Sequence, residues 1–345
     1  MAGVHRSSFT VDLSAIRRNA EMLLRAAGGS ELWAVVKADG YGHGAVDVSR
    51  AALAGGATAL CVATVPEALR LRDAHALDAA RILVMGPVEE NELVQAHNAG
   101  LELVVAGEPV PEGIRLHLKI DTGMGRWGLS ELAAPGRNVV GVMSHLASAD
   151  SDADFTRVQI DRFRESTADL GDALVRHLAN SAGTLRYPGA AFDAVRCGIA
   201  LYGISPFGVD PSLDGLEPAL RWESYLALVK QLAPGESTGY GREFVAERPT
   251  WIGIVPVGYA DGFRRDMTGT EVLIDGGRRR VIGTVSMDSL AVELSRELPA
   301  GTPVTLIGDR ILIEDHARVA GTIGYEIATG LETGSERARR VVADG

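Results

Sequence analysis

Eight short apolar runs in the first two hundred residues constrain this chain more than any other feature. They are LWAVVKA (32–38), ALCVAT (59–64), RILVMG (81–86), LELVVAG (101–107), RLHLKID (115–121), VVGVMSH (139–145), LVRHLAN (174–180) and DAVRCG (193–198). Runs that are apolar throughout, rather than alternating, mark parallel strands covered on both faces. Helical patterns such as PEALRLRDAHAL and DFTRVQIDRFRESTADL separate several of them, and an amphipathic stretch at 13–27 precedes the first. Eight strands alternating with helices predict an α/β fold, a (β/α)8 TIM-like barrel. Two connections, 108–114 and the glycine-rich 122–138, leave little room for a crossover helix, which normally needs about a dozen residues. The barrel is therefore expected to be trimmed, with little or no helix beside its fourth strand and at most a turn or two beside its fifth.

The texture changes near Trp222 to β-rich runs with hairpin signals, among them VLIDGGRRRVIGTV, where Asp-Gly-Gly parts two β-branched strands. An all-β second domain is expected there. The reading assigns residues 10–220 to the barrel and 221–345 to the β domain, with residues 1–9 as a strand that could pair with the latter. A length of 345 residues agrees with two domains, since one core seldom organises so much chain.

Composition narrows the partners. No apolar run nears the roughly 18 residues of a membrane span. The N-terminus lacks the charged-then-apolar pattern of an export signal, so a cytoplasmic location is expected. Cys61 and Cys197 are too few for a disulfide framework and not spaced for zinc, and no metal is expected. A net charge of -11 argues against nucleic acid and anionic lipid. Small molecules remain.

The chemistry-bearing residues gather at strand ends. In AVVKADGYGHG, Lys37 closes the first barrel strand before a glycine-rich turn. A lysine partly desolvated at that face has a lowered pKa and can attack a carbonyl as a free amine, although a solvated cap is the ordinary role at such a position. KIDTGMGRWG puts Arg126 in a loop whose glycines let the backbone approach a ligand. His145 ends the sixth strand, Asn180 and Ser181 the seventh, and VRCGIALYG brings Arg196 with the amides of Gly198 and Ile199 to the eighth. Loops after strands seven and eight commonly bind phosphate in barrels. Ser181 could equally cap the helix predicted in SAGTLRY.

These strings together, with GYADG (258–262) and SMD (286–288), resemble the alanine racemase family along nearly the whole chain. The resemblance implies a pyridoxal phosphate (PLP) enzyme that interconverts L- and D-alanine for cell-wall peptidoglycan. It implies that Lys37 carries the cofactor and is the base on one face of the substrate carbon, with Tyr240, in STGYGREF, the base on the other. Inversion needs two such groups, because a lone base mostly restores the starting isomer. It further implies that Arg196 faces the pyridine nitrogen and links through His145 toward the tyrosine, the pair lending it positive character. Arg126 meets the phenolic oxygen and the substrate carboxylate, while Tyr41, Asn180, Ser181, Gly198 and Ile199 hold the cofactor. Tyr259, Met287 and Asp288 shape or support the substrate entrance, and Lys119 matches a lysine carbamylated in many relatives. Family members are homodimers in which one chain's β domain completes the other's site, so a homodimer is expected.

The chain departs from that pattern in two places. Thr333 stands where many relatives carry a phosphate-contacting tyrosine, which removes a donor, adds room and leaves serine open as a substrate. Ser286 replaces a frequent cysteine. A broader amino-acid racemase is one alternative, and a non-catalytic PLP-binding homeostasis protein, which would end after the barrel, is another.

Overall fold

The structure is a computed structural model that describes residues 5–74, 77–107, 112–132, 135–171, 173–334 and 336–344. Two compact units are present. One comprises Ala15–Phe207 and Pro211–Glu217, the other Met1–Ser14, Gly208–Asp210 and Pro218–Gly345.

After an opening strand β1 (Ser7–Asp12), the eight apolar runs form β2 (Glu31–Val35), β3 (Ala59–Val62), β4 (Arg81–Val84), β5 (Glu102–Val105), β6 (Arg115–Lys119), β7 (Val139–Met143), β8 (Val175–His177) and β9 (Ala194–Cys197). Each pairs in parallel with the next, and β9 returns to β2, so the barrel is closed. Every residue of β3, β5 and β9 is buried, which is why the runs lack alternation.

The crossover helices form where local chemistry supports them. Helix Val65–Arg72 starts at a capping box in which Thr64 and Glu67 satisfy each other's amides. Helix Ala153–Ser166 starts at Asp152, whose carboxylate accepts from the Phe155 amide at 2.9 Å. It buries Thr156, Gln159, Ile160 and Phe163, a 3–4 spacing that faces the barrel. Among the described residues no helix lies between β5 and β6 or between β6 and β7. Residues 108–111 and 133–134 of these two connections fall outside the description. A cavity of about 520 Å³, lined in part by Met85, Pro87, Leu93, Leu103, Val105 and Trp127, opens beside the ends of β4 and β5.

The other unit is β-rich. Its strands are β10 (Leu220–Tyr225), β11 (Leu228–Leu232), β12 (Ser237–Thr238), β13 (Phe244–Val245), β14 (Thr250–Val255), β15 (Glu271–Ile274), β16 (Gly277–Ile282), β17 (Leu290–Leu294), β18 (Pro303–Ile307) and β19 (Ala338–Ala343). Nine strands build one sheet in the order β11-β14-β17-β16-β15-β18-β10-β1-β19. β1 runs antiparallel to β10 and parallel to β19. Phe9 of β1 stacks on Trp222 of β10 at 4.9 Å, both fully buried, and each ring contributes about 1.5–3 kcal/mol of burial. The hairpin β15–β16 turns on Asp275 and Gly276, both at positive φ, as a two-residue type I′ loop requires. Two short helices, Ile313–Ala320 and Gly324–Thr329, accompany this sheet, so the unit is β-rich rather than purely β. No described helix is long and apolar enough to cross a membrane.

Candidate active site

Lys37 stands two residues past the end of β2, and the backbone beyond it winds the wrong way. Ala38, Asp39, Gly40 and Tyr41 all have φ between 50 and 62°. A non-glycine residue in this left-handed region costs about 1–2 kcal/mol, so three within four positions need external support. Glu67 gives it. One carboxylate oxygen accepts the Ala38 amide at 2.8 Å and the other accepts Ala63 at 2.7 Å and Thr64 at 3.2 Å, joining the ends of β2 and β3. Asp39 closes the turn by accepting the Ala45 amide at 3.0 Å. Burial and the nearby Arg126 hold the Lys37 amine below its usual pKa, against the opposing pull of Glu67 and Cys61.

The left-handed turn delivers Tyr41 to the barrel interior, stacked on Tyr202 at 4.9 Å. A β-carbon added at Gly198 would lie 2.6 Å from the Tyr41 hydroxyl, so the bare backbone there makes the approach possible. The Ser181 hydroxyl accepts from the amides of Gly198 at 3.1 Å and Ala200 at 3.3 Å. Ser181 is not the helix cap. Asn180 performs that task, accepting the Gly183 amide at 2.9 Å, and the serine is left facing the β9 loop with Gly198 and Ile199.

Asp121 organises the Arg126 loop. Its carboxylate accepts three consecutive amides, those of Gly123, Met124 and Gly125, at 2.8 to 3.2 Å. Burial raises its pKa, but these bonds outweigh burial and hold it below the usual carboxylate value. The chain then folds back so that Leu129 bridges Ile120, and Gly128 passes where a β-carbon would strike Asp121. Lys119, nearly enclosed, donates to the Trp127 carbonyl. Burial, with help from Arg126 and Arg196, lowers its pKa to about 8.

His145 and Arg196 are joined at 3.3 Å, guanidinium to Nδ1. Burial pushes the histidine pKa well below its ordinary value, and Arg196, Arg126, Lys37 and Lys119 all push the same way. The expectation that His145 lends positive charge is thus corrected: the ring is neutral, and Arg196 is the cation of the pair. Burial brings Arg196 down to about 10, still protonated at neutral pH. Its other donors reach the carbonyls of Ser144 at 2.7 Å, His177 at 2.8 Å and Leu178 at 3.2 Å.

The remaining candidates belong to the β-rich unit. Tyr240 is flanked by Gly239 and Gly241 at positive φ and bridges Thr284. Its side chain is 70% exposed, an unusual position for an aromatic with no further task. GYADG and SMD interlock. Tyr259 and Ala260 donate to the Ser286 and Met287 carbonyls at 3.0 Å each, and no side chain fits at Gly258, where a β-carbon would lie 2.2 Å from the Ser286 carbonyl. Tyr259 and Met287 stay exposed on this pair of loops. Asp288 is engaged by Arg337 at 2.6 Å and Arg6 at 3.6 Å, and Arg337 holds its pKa down. Thr333 follows Glu332, whose amide donates to the Asp261 carbonyl at 3.1 Å.

A lowered-pKa lysine, three further cations and the side-chain-free backbone of Gly198 thus share one barrel end, an arrangement suited to an anionic ligand. Comparison with known families decides what it belongs to. The alanine racemase N-terminal domain family matches residues 11–206, and the alanine racemase C-terminal domain family matches residues 219–342. This chain is a member of the alanine racemase family. The alanine racemase of Lactiplantibacillus plantarum is 39% identical over 99% of both chains, and that of Symbiobacterium thermophilum is 40% identical over 93% of both. The crystal structure of alanine racemase from Streptomyces lavendulae, a D-cycloserine producer, superposes with a TM-score of 0.90 at 35% identity, covering 99% of this chain and 98% of that one. The Streptomyces coelicolor enzyme does so with a TM-score of 0.90 at 38% identity, covering 99% of each. The fold is therefore that of alanine racemases and the chain is an enzyme of that kind.

Sequence reading of this racemase passed over four residues that the structure ties to the site: Glu67, Glu102, His117 and His177. For Glu67 a signal existed, since Thr64-Val-Pro-Glu67 is a capping-box pattern. The two histidines lay inside strand runs that read as core.

Proposed function

We propose that this enzyme interconverts L- and D-alanine by a two-base mechanism with pyridoxal phosphate at the barrel mouth, supplying D-alanine for peptidoglycan. The observation that carries the reading is the gathering of Lys37, Lys119, Arg126 and Arg196 around His145, with the Arg196 guanidinium 3.3 Å from its Nδ1. A phosphorylated phenolic ring and a substrate carboxylate bring the anionic charge that such a site favours. The bare Gly198 beside the Tyr41 hydroxyl fits a phosphate cradle. When bound, the cofactor supplies an electron-withdrawing ring that lets the α-hydrogen of an amino acid leave as a proton.

Lys37 holds the cofactor and moves a proton at Nζ on one face of the substrate carbon, a task its lowered pKa favours. Tyr240 handles the proton at its hydroxyl on the opposite face, and comes from the β-rich unit of a second copy in a homodimer. Arg126 binds the phenolic oxygen and the substrate carboxylate. Tyr41, Asn180, Ser181, Gly198 and Ile199 hold the phosphate end. Arg196, protonated at neutral pH, would hold the pyridine end of the cofactor as a donor only, which would disfavour a proton there and limit side reactions. Because Arg196 donates to Nδ1 of His145, the ring carries its hydrogen on Nε2 and can donate toward a phenolate. Tyr259 and Met287 line the entrance, with Asp288 fixing Arg337 behind them. Lys119, with a pKa near 8, has roughly one amine in ten unprotonated at pH 7 and is a candidate for carbamylation. A carbamate carbon resonance after labelling with carbon-13 bicarbonate, lost in Lys119→Ala, tests this.

Thr333 in place of a larger residue supports serine as a second substrate. Following optical inversion of L-alanine and L-serine separately tests both readings. Inversion of alanine is expected, with serine slower. No inversion of either by cofactor-loaded protein would refute the assignment.

A further inference from the structure

Arg196 is buried, and every group it donates to is neutral: three carbonyls and two histidine nitrogens. One of those nitrogens begins a line of side chains that runs the length of the barrel. Arg196 meets Nδ1 of His177 at 2.9 Å. Nε2 of His177 meets Nδ1 of His117 at 2.8 Å, and Nε2 of His117 meets the Glu102 carboxylate at 2.9 Å. His177 closes β8 at the site end, whereas Glu102 is the first residue of β5, at the opposite end. There Arg81 grips Glu102 at 2.8 and 2.9 Å, and Arg115 reaches it at 3.1 Å.

The direction of every hydrogen in this line follows from its two ends. A guanidinium only donates, so Nδ1 of His177 is an acceptor and its hydrogen sits on Nε2. That hydrogen must go to Nδ1 of His117, which leaves the His117 hydrogen on Nε2, pointing at a carboxylate that only accepts. Both rings are then neutral and of one tautomer, with no freedom to reverse. The space for this line is built in. A β-carbon at Gly141 would lie 2.2 Å from Nδ1 of His117, and Trp33 packs against both rings, 5.6 Å from His117 and 4.5 Å from His177.

We propose that Glu102 is a positioning residue for the racemase: through His117 and His177 it fixes a one-way order of donors that holds Arg196 in place at the site. The inference rests on the role given to Arg196 above. Other titratable groups facing the line are Glu31, 3.8 Å from Arg81, and the thiols of Cys61 and Cys197 near Arg196, which burial keeps neutral. None of them contacts a ring nitrogen of either histidine in the line.

The test is an imidazole nitrogen NMR spectrum of the purified wild-type enzyme, labelled in histidine and recorded without substrate, so its outcome is independent of racemisation. His117 and His177, assigned with single variants, are expected as neutral rings with hydrogen on Nε2. A cationic ring, or hydrogen on Nδ1 of either, would overturn the relay. Glu102→Leu is then expected to perturb the His177 resonances as well as those of His117 and to lower kcat roughly tenfold with KM little changed, by analogy with other outer partners of site groups. Glu102→Gln, which keeps an acceptor oxygen, should restore most of both. A Glu102→Leu enzyme with full kcat and an unmoved His177 would refute the positioning role.

Discussion

His117, His177 and His316 are buried and His145 is partly so, and desolvation is the chief cause that pushes the pKa of all four rings down. Their neutrality ties stability to pH. An unfolded chain binds protons on these rings once pH falls below about 6.5, whereas the folded chain refuses them until a lower pH. The stability they allow is therefore present above about 6.5 and lost as pH falls below it, by up to about 1.4 kcal/mol per pH unit for each ring. Denaturant melts at pH 7.5, 6.5 and 5.5 should show a steepening loss over the lower interval. A flat profile would mean that the rings are protonated in the fold, which the donor order around Arg196 forbids for His117, His145 and His177. At this scale the sequence marked His145 and Arg196 because each lies near the C-terminal end of an apolar run. It was silent on His117 and His177, whose polar partners lie 15 to 60 residues away.

Among the elements, the turn from Lys37 to Tyr41 does most to set the site. Its strain is offset by Glu67, which takes amides from Ala38, Ala63 and Thr64. Glu67→Ala strips these donors of their acceptor, at about 1–3 kcal/mol in total given their partial exposure. The midpoint of thermal unfolding should drop by roughly 2–6 °C. Activity should fall further, roughly 10- to 100-fold, because Lys37 moves with the turn. Unchanged turnover in a folded Glu67→Ala enzyme would show that the turn holds without it. The barrel strands were legible because burial on both faces erases alternation. The left-handed winding was not, since Ala38, Asp39 and Tyr41 are ordinary residues in a turn that is braced by Glu67, 29 residues from Ala38, and by the bond from the Ala45 amide to Asp39. The helices Ile313–Ala320 and Gly324–Thr329 were missed for a related reason: both are short, and the second opens on glycine.

At the scale of the whole molecule, Lys37 and Tyr240 belong to different compact units, and the proposal joins them between two copies of the chain. The sequence left open where SSFTVDL goes; the structure inserts it between β10 and β19, binding the first residues to the last. If sites are composite, chains carrying Lys37→Ala and Tyr240→Phe should complement when mixed. Each mixed dimer holds one intact site, so random pairing should restore about a quarter of wild-type activity. Mixed dimers with no activity would contradict shared sites. The two-base claim is tested most directly by Tyr240→Phe in deuterium oxide, with L- and D-alanine supplied separately. The account predicts that Lys37 alone exchanges the α-hydrogen of one enantiomer, with its configuration kept, while the other is inert. Exchange of both at similar rates, or inversion near the wild-type rate, would contradict it.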